Sequence, residues 1–453
     1  MYFLIVALQM SGQSLNTLQG PMLEAIGAME YFSLASIISI LGLTIMTPIG
    51  GKLGDLVGRR NMVLFAGLVS MTCRIGLSFT SSAIAHILFR FVLGAATGAF
   101  ISVPYILARE INEEKVVPRM MGFLASGMAV GGLLGGLIAG ALMDLGYMRP
   151  AIVFPIIPLI IGVTLITLNL PNKKAERKIK VDVPGILTLT PALTILIIAI
   201  NYAPKKGFTD IKVLGGLIIG IILAILFVKI EKKAEEPIIP FRLLKNKNYV
   251  ILLVIGLIGY FYMNSMNIYA PLVAINVMQQ PKSVAGILQL PRTIITMILP
   301  IFTGVWVAKK VTNHKIAMII ATALVAIPMF VMSFAGANAS VILYMTMLGV
   351  TGIAESFRGV SITTMAQTCL EPQDLGIGTS LVNFVNTFAG LLSSSIFGIA
   401  YDLKTKANPA DPALIASGAS SIYMLAGIVS VVGVLIVLFM TKDIFNKEKG
   451  QLR

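Results

Sequence analysis

Apolar residues run along this chain in long uninterrupted blocks, and the polar residues between them are bunched into short stretches. Each block of about 18 residues or more is long enough, at about 1.5 Å per residue, to cross a hydrocarbon core of about 30 Å. Barrel strands would instead alternate apolar and polar side chains with a period of two. The pattern therefore predicts membrane-crossing helices. They fall at 2–20, 31–50, 62–80, 83–108, 121–142, 151–170, 185–202, 213–228, 249–273, 284–308, 316–334, 341–368, 376–400 and 422–440. The expected fold class is an all-α polytopic membrane protein with 14 spans. Residues 1–172 make an N-terminal six-helix bundle. Residues 173–247 hold charged loops and two additional helices, and 248–453 make a C-terminal six-helix bundle.

Composition agrees with that pattern. Hydrophobic residues make up 57% of the 453 positions and charged residues 12%, against about 25% charged in a soluble chain. The net charge of +15 is distributed unevenly. With the stretch around Lys52 on the cytoplasmic side and the spans alternating, most Lys and Arg fall on that side. This bias places both termini in the cytoplasm. The basic clusters at 171–180 and 229–237 read as juxtamembrane loops facing anionic lipid, not as nucleic-acid sites. No cleavable leader is expected, and the first span leaves room for a few residues upstream of Met1. Cys73 and Cys369, far apart in apolar stretches, read as packing residues.

One polar stretch stands out. Residues 51–60, GKLGDLVGRR, place Gly51, Asp55, Gly58, Arg59 and Arg60 between the second and third spans. Gly51 and Gly58 permit a tight reversal and close helix approach. Arg59 and Arg60 anchor the next helix at anionic headgroups. Asp55 gains from a basic partner or a helix N-terminus. A carboxylate paired in only one arrangement of the two bundles would bias that arrangement. After the tenth span, Gly304 and the pair Lys309-Lys310 return at corresponding places, with Ala308 where Asp55 stands in the first half.

This stretch resembles the signature loop of the major facilitator superfamily, and 14 spans with an extra central pair resemble its drug:proton antiporter-2 branch. The resemblance implies the major facilitator fold, two six-helix bundles around a central path. The fourth span carries LFRFVLGAATGA at 88–99. It is similar to the family motif whose Arg, here Arg90, is implicated in proton transfer. The fifth span repeats Gly127, Gly131 and Gly135, with Gly132, Gly136 and Gly140 one step on. Such small-residue stripes let helices pack closely in lipid. They resemble the antiporter motif, except that Gly132 stands where the family has Pro. At the place where the branch usually carries an acid in the first span, this chain has Gly12.

Ionisable residues deep in a span cost about 2.5–3.5 kcal/mol and need a reason. Arg74, Arg90, Arg292 and Arg358 are deep, and Glu355 is the one clearly deep acid. Arg74 and Arg90 fall at a similar depth, with His86 one turn from Arg90. Glu355 and Arg358, three apart, share a helix face. A self-neutralising structural pair and a switch in which Glu355 alternates between Arg358 and a proton both fit this spacing. Gln13, Asn16, Tyr260, Asn264, Asn267, Asn383 and Asn386, with Arg74, are candidates for the wall of a cavity, and interhelical hydrogen bonding is the alternative for each. The resemblance implies that the first, fourth, ninth and twelfth spans line the central path.

These features lead to a proton-coupled secondary transporter of small amphipathic molecules, with multidrug-type efflux by alternating access implied by the resemblance. A second reading keeps the transporter and changes the cargo to an organic anion such as a carboxylate or bile acid, taken up or exchanged. The excess of deep Arg over deep Glu favours it. A third is a membrane sensor or assembly subunit that transports nothing. An enzyme is not expected: no P-loop appears, DLKT at 402–405 only superficially resembles a pump motif, and neither His has a metal-binding companion. No cofactor or metal is expected, and a proton gradient supplies the energy. Expected partners are a small-molecule substrate, protons and membrane lipid, for a monomer in a bacterial cell membrane.

Overall fold

The computed structural model describes residues 1–171, 182–207, 209–234, 237–336, 339–408 and 411–440. Residues 172–180 of the basic cluster at 171–180, and residues 235–236 of the second cluster, lie outside the described residues. The long helices are α1 (Tyr2–Ala25), α2 (Phe32–Val57), α3 (Arg59–Phe79), α4 (Ala83–Glu110), α5 (Val117–Asp144), α6 (Met148–Asn169), α7 (Val183–Lys206) and α8 (Ile211–Glu231). They continue with α9 (Lys247–Asn276), α10 (Leu290–Val307), α11 (Val311–Ala335), α12 (Val341–Thr368), α13 (Leu375–Thr405) and α14 (Pro412–Met440). Among the described residues no strand occurs, and eleven helices are long and apolar enough to cross a membrane. Helices α1, α7 and α12 are not among the eleven. Helix α1 spends its length on Gln9, Ser11, Gln13, Ser14, Asn16, Thr17 and Gln19, and α12 carries Glu355 and Arg358. Neither needs a wholly apolar surface where neighbouring helices cover it.

Packing repeats between the halves. In the first half α1 lies against α5, α2 against α4, and α3 against α6. In the second half α9 lies against α13, α10 against α12, and α11 against α14. The same pairing eight helices later is the internal repeat that is faint in the sequence. The halves meet along two seams, α2 with α13 and α5 with α10. Helices α7 and α8 pack on each other, and α7 rests against α13 and α2. The hairpin thus lies beside one seam, and most of α8 stays uncovered by protein.

Glycines set how closely the helices cross. A Cβ on Gly94 would lie 2.1 Å from the Ser39 carbonyl oxygen, and one on Gly98 would lie 2.3 Å from that of Leu43. Gly131 and Gly135 meet the carbonyls of Val6 and Met10 in the same way, and Gly127 meets Tyr2 and Ile5. This is the expected stripe, directed at α1. The second stripe behaves differently: Gly132 and Gly136 face the side chains of Gln9 and Gln13, and Gly140 faces open space.

The 51–60 stretch is not mainly a loop. Helix α2 continues through Gly51 and Asp55 to Val57, because Leu53 and Val57 pack into the first-half core and no Pro intervenes. Only Gly58, at φ +87°, makes the reversal into α3. Gly51 serves close approach instead. Helix α10 also starts later than the pattern suggests, after a short helix Lys282–Ile287, and α14 starts earlier, at Pro412.

Replacing Gly94 with Leu forces α2 and α4 apart. It should destabilise the protein by about 1–3 kcal/mol or more, read as a lowered melting temperature of purified protein in detergent. Gly140→Ala, which meets nothing, should leave the melting temperature unchanged or raise it.

Candidate functional site

Helix α12 presents Glu355 and Arg358 on one face, as their spacing requires. The Arg358 Nε donates to Glu355 Oε2 at 3.0 Å, and its terminal nitrogen also bonds the carboxylate. Tyr262 of α9 donates its hydroxyl to Glu355 Oε2 at 3.2 Å. The Arg358 guanidinium lies 3.7 Å from the centre of the Tyr260 ring, a cation–π contact. Gly259 leaves room for the Arg358 stem, which a Cβ there would meet at 2.6 Å. Arg358 is buried, whereas the Glu355 side chain keeps about a fifth of its surface open. Arg292 on α10 lies close enough to act on the Glu355 charge and donates to Met263 Sδ at 3.0 Å.

Around this pair the polar candidates divide into two groups. Asn16 on α1 and Asn267 on α9 are exposed deep within membrane-length helices, and Thr17 is exposed beside Asn16. Gln13 is half-buried beside Gly136. The second group bonds helix to helix. Asn264 donates to the Gly390 carbonyl at 2.6 Å and to the Ser394 hydroxyl at 2.7 Å, tying α9 to α13. It sits at the start of a π-helical turn, Ser265–Tyr269, a distortion frequent at functional sites. Asn386 is half-buried on α13, its side-chain oxygen near Gly256 and without a hydrogen-bond partner.

The first-half arginines are separate from that set. Arg74 is completely buried and donates to the carbonyls of Ile152 and Ser11, at 2.5 and 2.7 Å. It therefore ties α3 to α6 and α1. Arg90, 4% exposed, donates to Gln19 Oε1 at 2.7 Å, and Gln19 in turn donates to the Phe32 carbonyl. Among the described residues neither guanidinium has a carboxylate partner. His86 is buried nearby.

Toward the Asp55 end, the two halves are in contact. Asp55 pairs with Arg59 at 2.9 Å, and Arg59 also bonds Glu110. The Asp55 carboxylate reaches the first turn of α13: a Cβ on Gly376 would lie 2.5 Å from both of its oxygens. The basic partner and the helix N-terminus expected of Asp55 are both present. Gly51 meets Ser380 and the Gly376 carbonyl. Arg60 is half-buried at the start of α3. On the other seam, Gly304 meets the Pro118 carbonyl and Gly122 meets the Pro300 carbonyl. The hydrogen bonds between the halves fall toward this same end. Asn383 donates to Ser102 Oγ at 3.0 Å, Gln367 donates to the Tyr105 carbonyl at 3.0 Å, and Ser126 donates to the Met297 carbonyl.

Ser102, Tyr105, Gln367, Gly376 and Ser380 escaped the sequence reading. A usable signal existed for the first two. Pro104 interrupts the α-helical run of α4 at Ile101-Ser102, and a broken helix exposes groups for outside partners. Gln367 and Ser380 look like ordinary polar residues of a span.

A family model for the major facilitator superfamily matches residues 1–394, and the chain belongs to that superfamily. An uncharacterised MFS-type transporter of Mycobacterium tuberculosis is 27% identical over 79% of this chain and 52% of its own length. The multidrug transporter protein MdtP of Bacillus subtilis is 22% identical over 87% of this chain and 73% of its own. The chain thus spans about half the length of the first curated relatives it matches. A crystal structure of the proton:xylose symporter XylE shares the fold, with a TM-score of 0.66 at 15% identity, covering 98% of this chain and 94% of the other.

The Asn383 and Gln367 bonds are each worth about 1 kcal/mol net. Removing both, as Asn383→Ala with Gln367→Ala, should shift the balance toward separation of the halves at this end by on the order of tenfold. The readout is thiol labelling of an S380C probe in a background lacking Cys73 and Cys369. An unchanged labelling rate would show that these bonds do not hold the end shut.

Proposed function

We propose that the chain is a proton-coupled secondary transporter that exports small amphipathic organic molecules by alternating access, in a bacterial plasma membrane. In this reading it crosses the membrane 14 times with both termini cytoplasmic. The α7–α8 hairpin supplies the two crossings beyond the paired bundles, and a single chain suffices. The Asp55 end is then the cytoplasmic gate, and the hollow that exposes Asn16 and Asn267 opens to the outside. The name of one relative, the efflux pump dotC of Dothistroma septosporum, supports export, and that of the Bacillus subtilis multidrug transporter supports a drug-like cargo.

The observation that carries the reading is the Glu355–Arg358 pair of α12, buried on the Arg side while the carboxylate keeps about a fifth of its surface open. The carboxylate is held by Arg358 on its own helix and by Tyr262 from α9. Movement of α9 or α10 against α12 changes the positive charge that Glu355 feels, and so changes its proton affinity. Proton uptake then favours one arrangement of the halves, which is coupling. Asp55 acts as the latch, docked on α13 only while the end is closed.

Glu355→Gln in proteoliposomes with an imposed pH gradient should reduce gradient-driven flux to the level of protein-free vesicles. Counterflow of the same compound without a gradient should persist. Intact gradient drive would remove Glu355 from the coupling step.

A second reading, transport of an organic anion, rests on Arg74 and Arg90, two buried guanidiniums with no acidic partner among the described residues. Size-matched cationic and anionic dyes separate the two readings. Transport of the anionic dye alone, lost in Arg90→Gln, would favour the anion; transport of the cationic dye alone would eliminate it.

A further inference from the structure

We infer that Asp182 and Glu231, at the base of the α7–α8 hairpin, form a binding site for one proton outside the path between the bundles. Asp182 caps α7, and its Oδ1 accepts from the Gly185 N–H at 2.9 Å. Glu231 ends α8, is 1% exposed, and its Oε1 accepts from the Ile239 N–H at 2.6 Å. Each carboxyl group thus spends one oxygen on the main chain. The remaining oxygens, Asp182 Oδ2 and Glu231 Oε2, are buried and have no other protein donor. They converge on one point: a Cβ on Gly185 would lie 2.3 Å from the first and 2.8 Å from the second. The two oxygens thus face one another across a single backbone position.

Ionised carboxylates only accept hydrogen bonds. A bond between two of them therefore requires a proton on one. Two adjacent negative charges away from water are strongly disfavoured, so the site holds one proton and one charge. Among the described residues no basic side chain bonds either carboxyl. From α7 the group facing Glu231 is Asp182, and from the segment after α8 it is the Ile239 N–H. Nearby, Lys52 of α2 donates to the Pro237 carbonyl at 3.2 Å, and Arg242 is held by Asp374 at 2.6 Å.

Residues 237–239 connect this site to the 51–60 stretch. Lys52 grips Pro237, Glu231 grips Ile239, and Ile238 is buried in one cluster with Ile45 and Ile49 of α2. Losing the proton sets two charges against each other at the point where that clasp meets the hairpin. The site reports acidity at the Asp55 end of the molecule, and it stands whether or not the transport reading holds.

The test is infrared difference spectroscopy of the purified full chain in lipid, following the C=O stretch of a protonated carboxyl through a pH titration. Wild type should show one such band that disappears on alkalinisation and is missing from both Asp182→Asn and Glu231→Gln. In both variants the amide donates the bond in place of the proton, so each should remain folded. The proton belongs to the folded pair and is lost as pH rises, so the stability it confers is present on the acid side and lost on the alkaline side. The wild-type melting temperature should fall as the band titrates, and that of Asp182→Asn with Glu231→Gln should not. Persistence of the band in both single variants would overturn the assignment. So would a melting temperature that follows sodium concentration instead of pH.

Discussion

A charge cannot stand unmatched in hydrocarbon, and much of this structure follows from how each one is matched. Three solutions appear. Glu355 is matched by a cation on its own helix and a hydroxyl from α9. Asp55 is matched by Arg59 and the first turn of α13. Arg74 is matched by main-chain carbonyls of α1 and α6, which give it partial negative charge without an acid. These solutions differ in what they hold together. The Arg74 bonds stay inside one bundle and fix its shape. The Asp55 contact crosses a seam, so it exists only while the halves touch. The Glu355 pair lies within the second bundle and ties α12 to α9 through Tyr262. The charge held by main-chain carbonyls is thus the most deeply buried, and the Asp55 pair stands where the two halves meet.

The pattern of apolar blocks was enough to read the helical class and the approximate place of each long helix. The Gly127, Gly131 and Gly135 stripe named its own packing face, because a four-residue period puts small residues on one side of a helix. The Glu355–Arg358 pairing was equally legible, since its two members are three residues apart on one helix. Contacts between distant helices were not. Nothing local distinguishes Asn383, which reaches Ser102, from Asn386, which makes no hydrogen bond through its oxygen. Arg74 and Arg90 fall at similar depths, and depth does not say whether a side chain turns inward to a carbonyl or toward the hollow. The extent of α2 was misjudged because glycine reads as a loop residue, although here Gly51 sits in a helix that needs no side chain at its crossing point.

The close crossings between helices are made largely from a glycine on one side and a carbonyl oxygen on the other. The oxygens of Ser39, Leu43, Val6, Met10, Pro118 and Pro300 all take part. Every residue type supplies the same oxygen, so the partner positions are almost free to vary in evolution while the crossing survives. The glycines have no substitute. The shape is written in very few letters, and mutational drift can erase most of the text around them without changing how the helices lie.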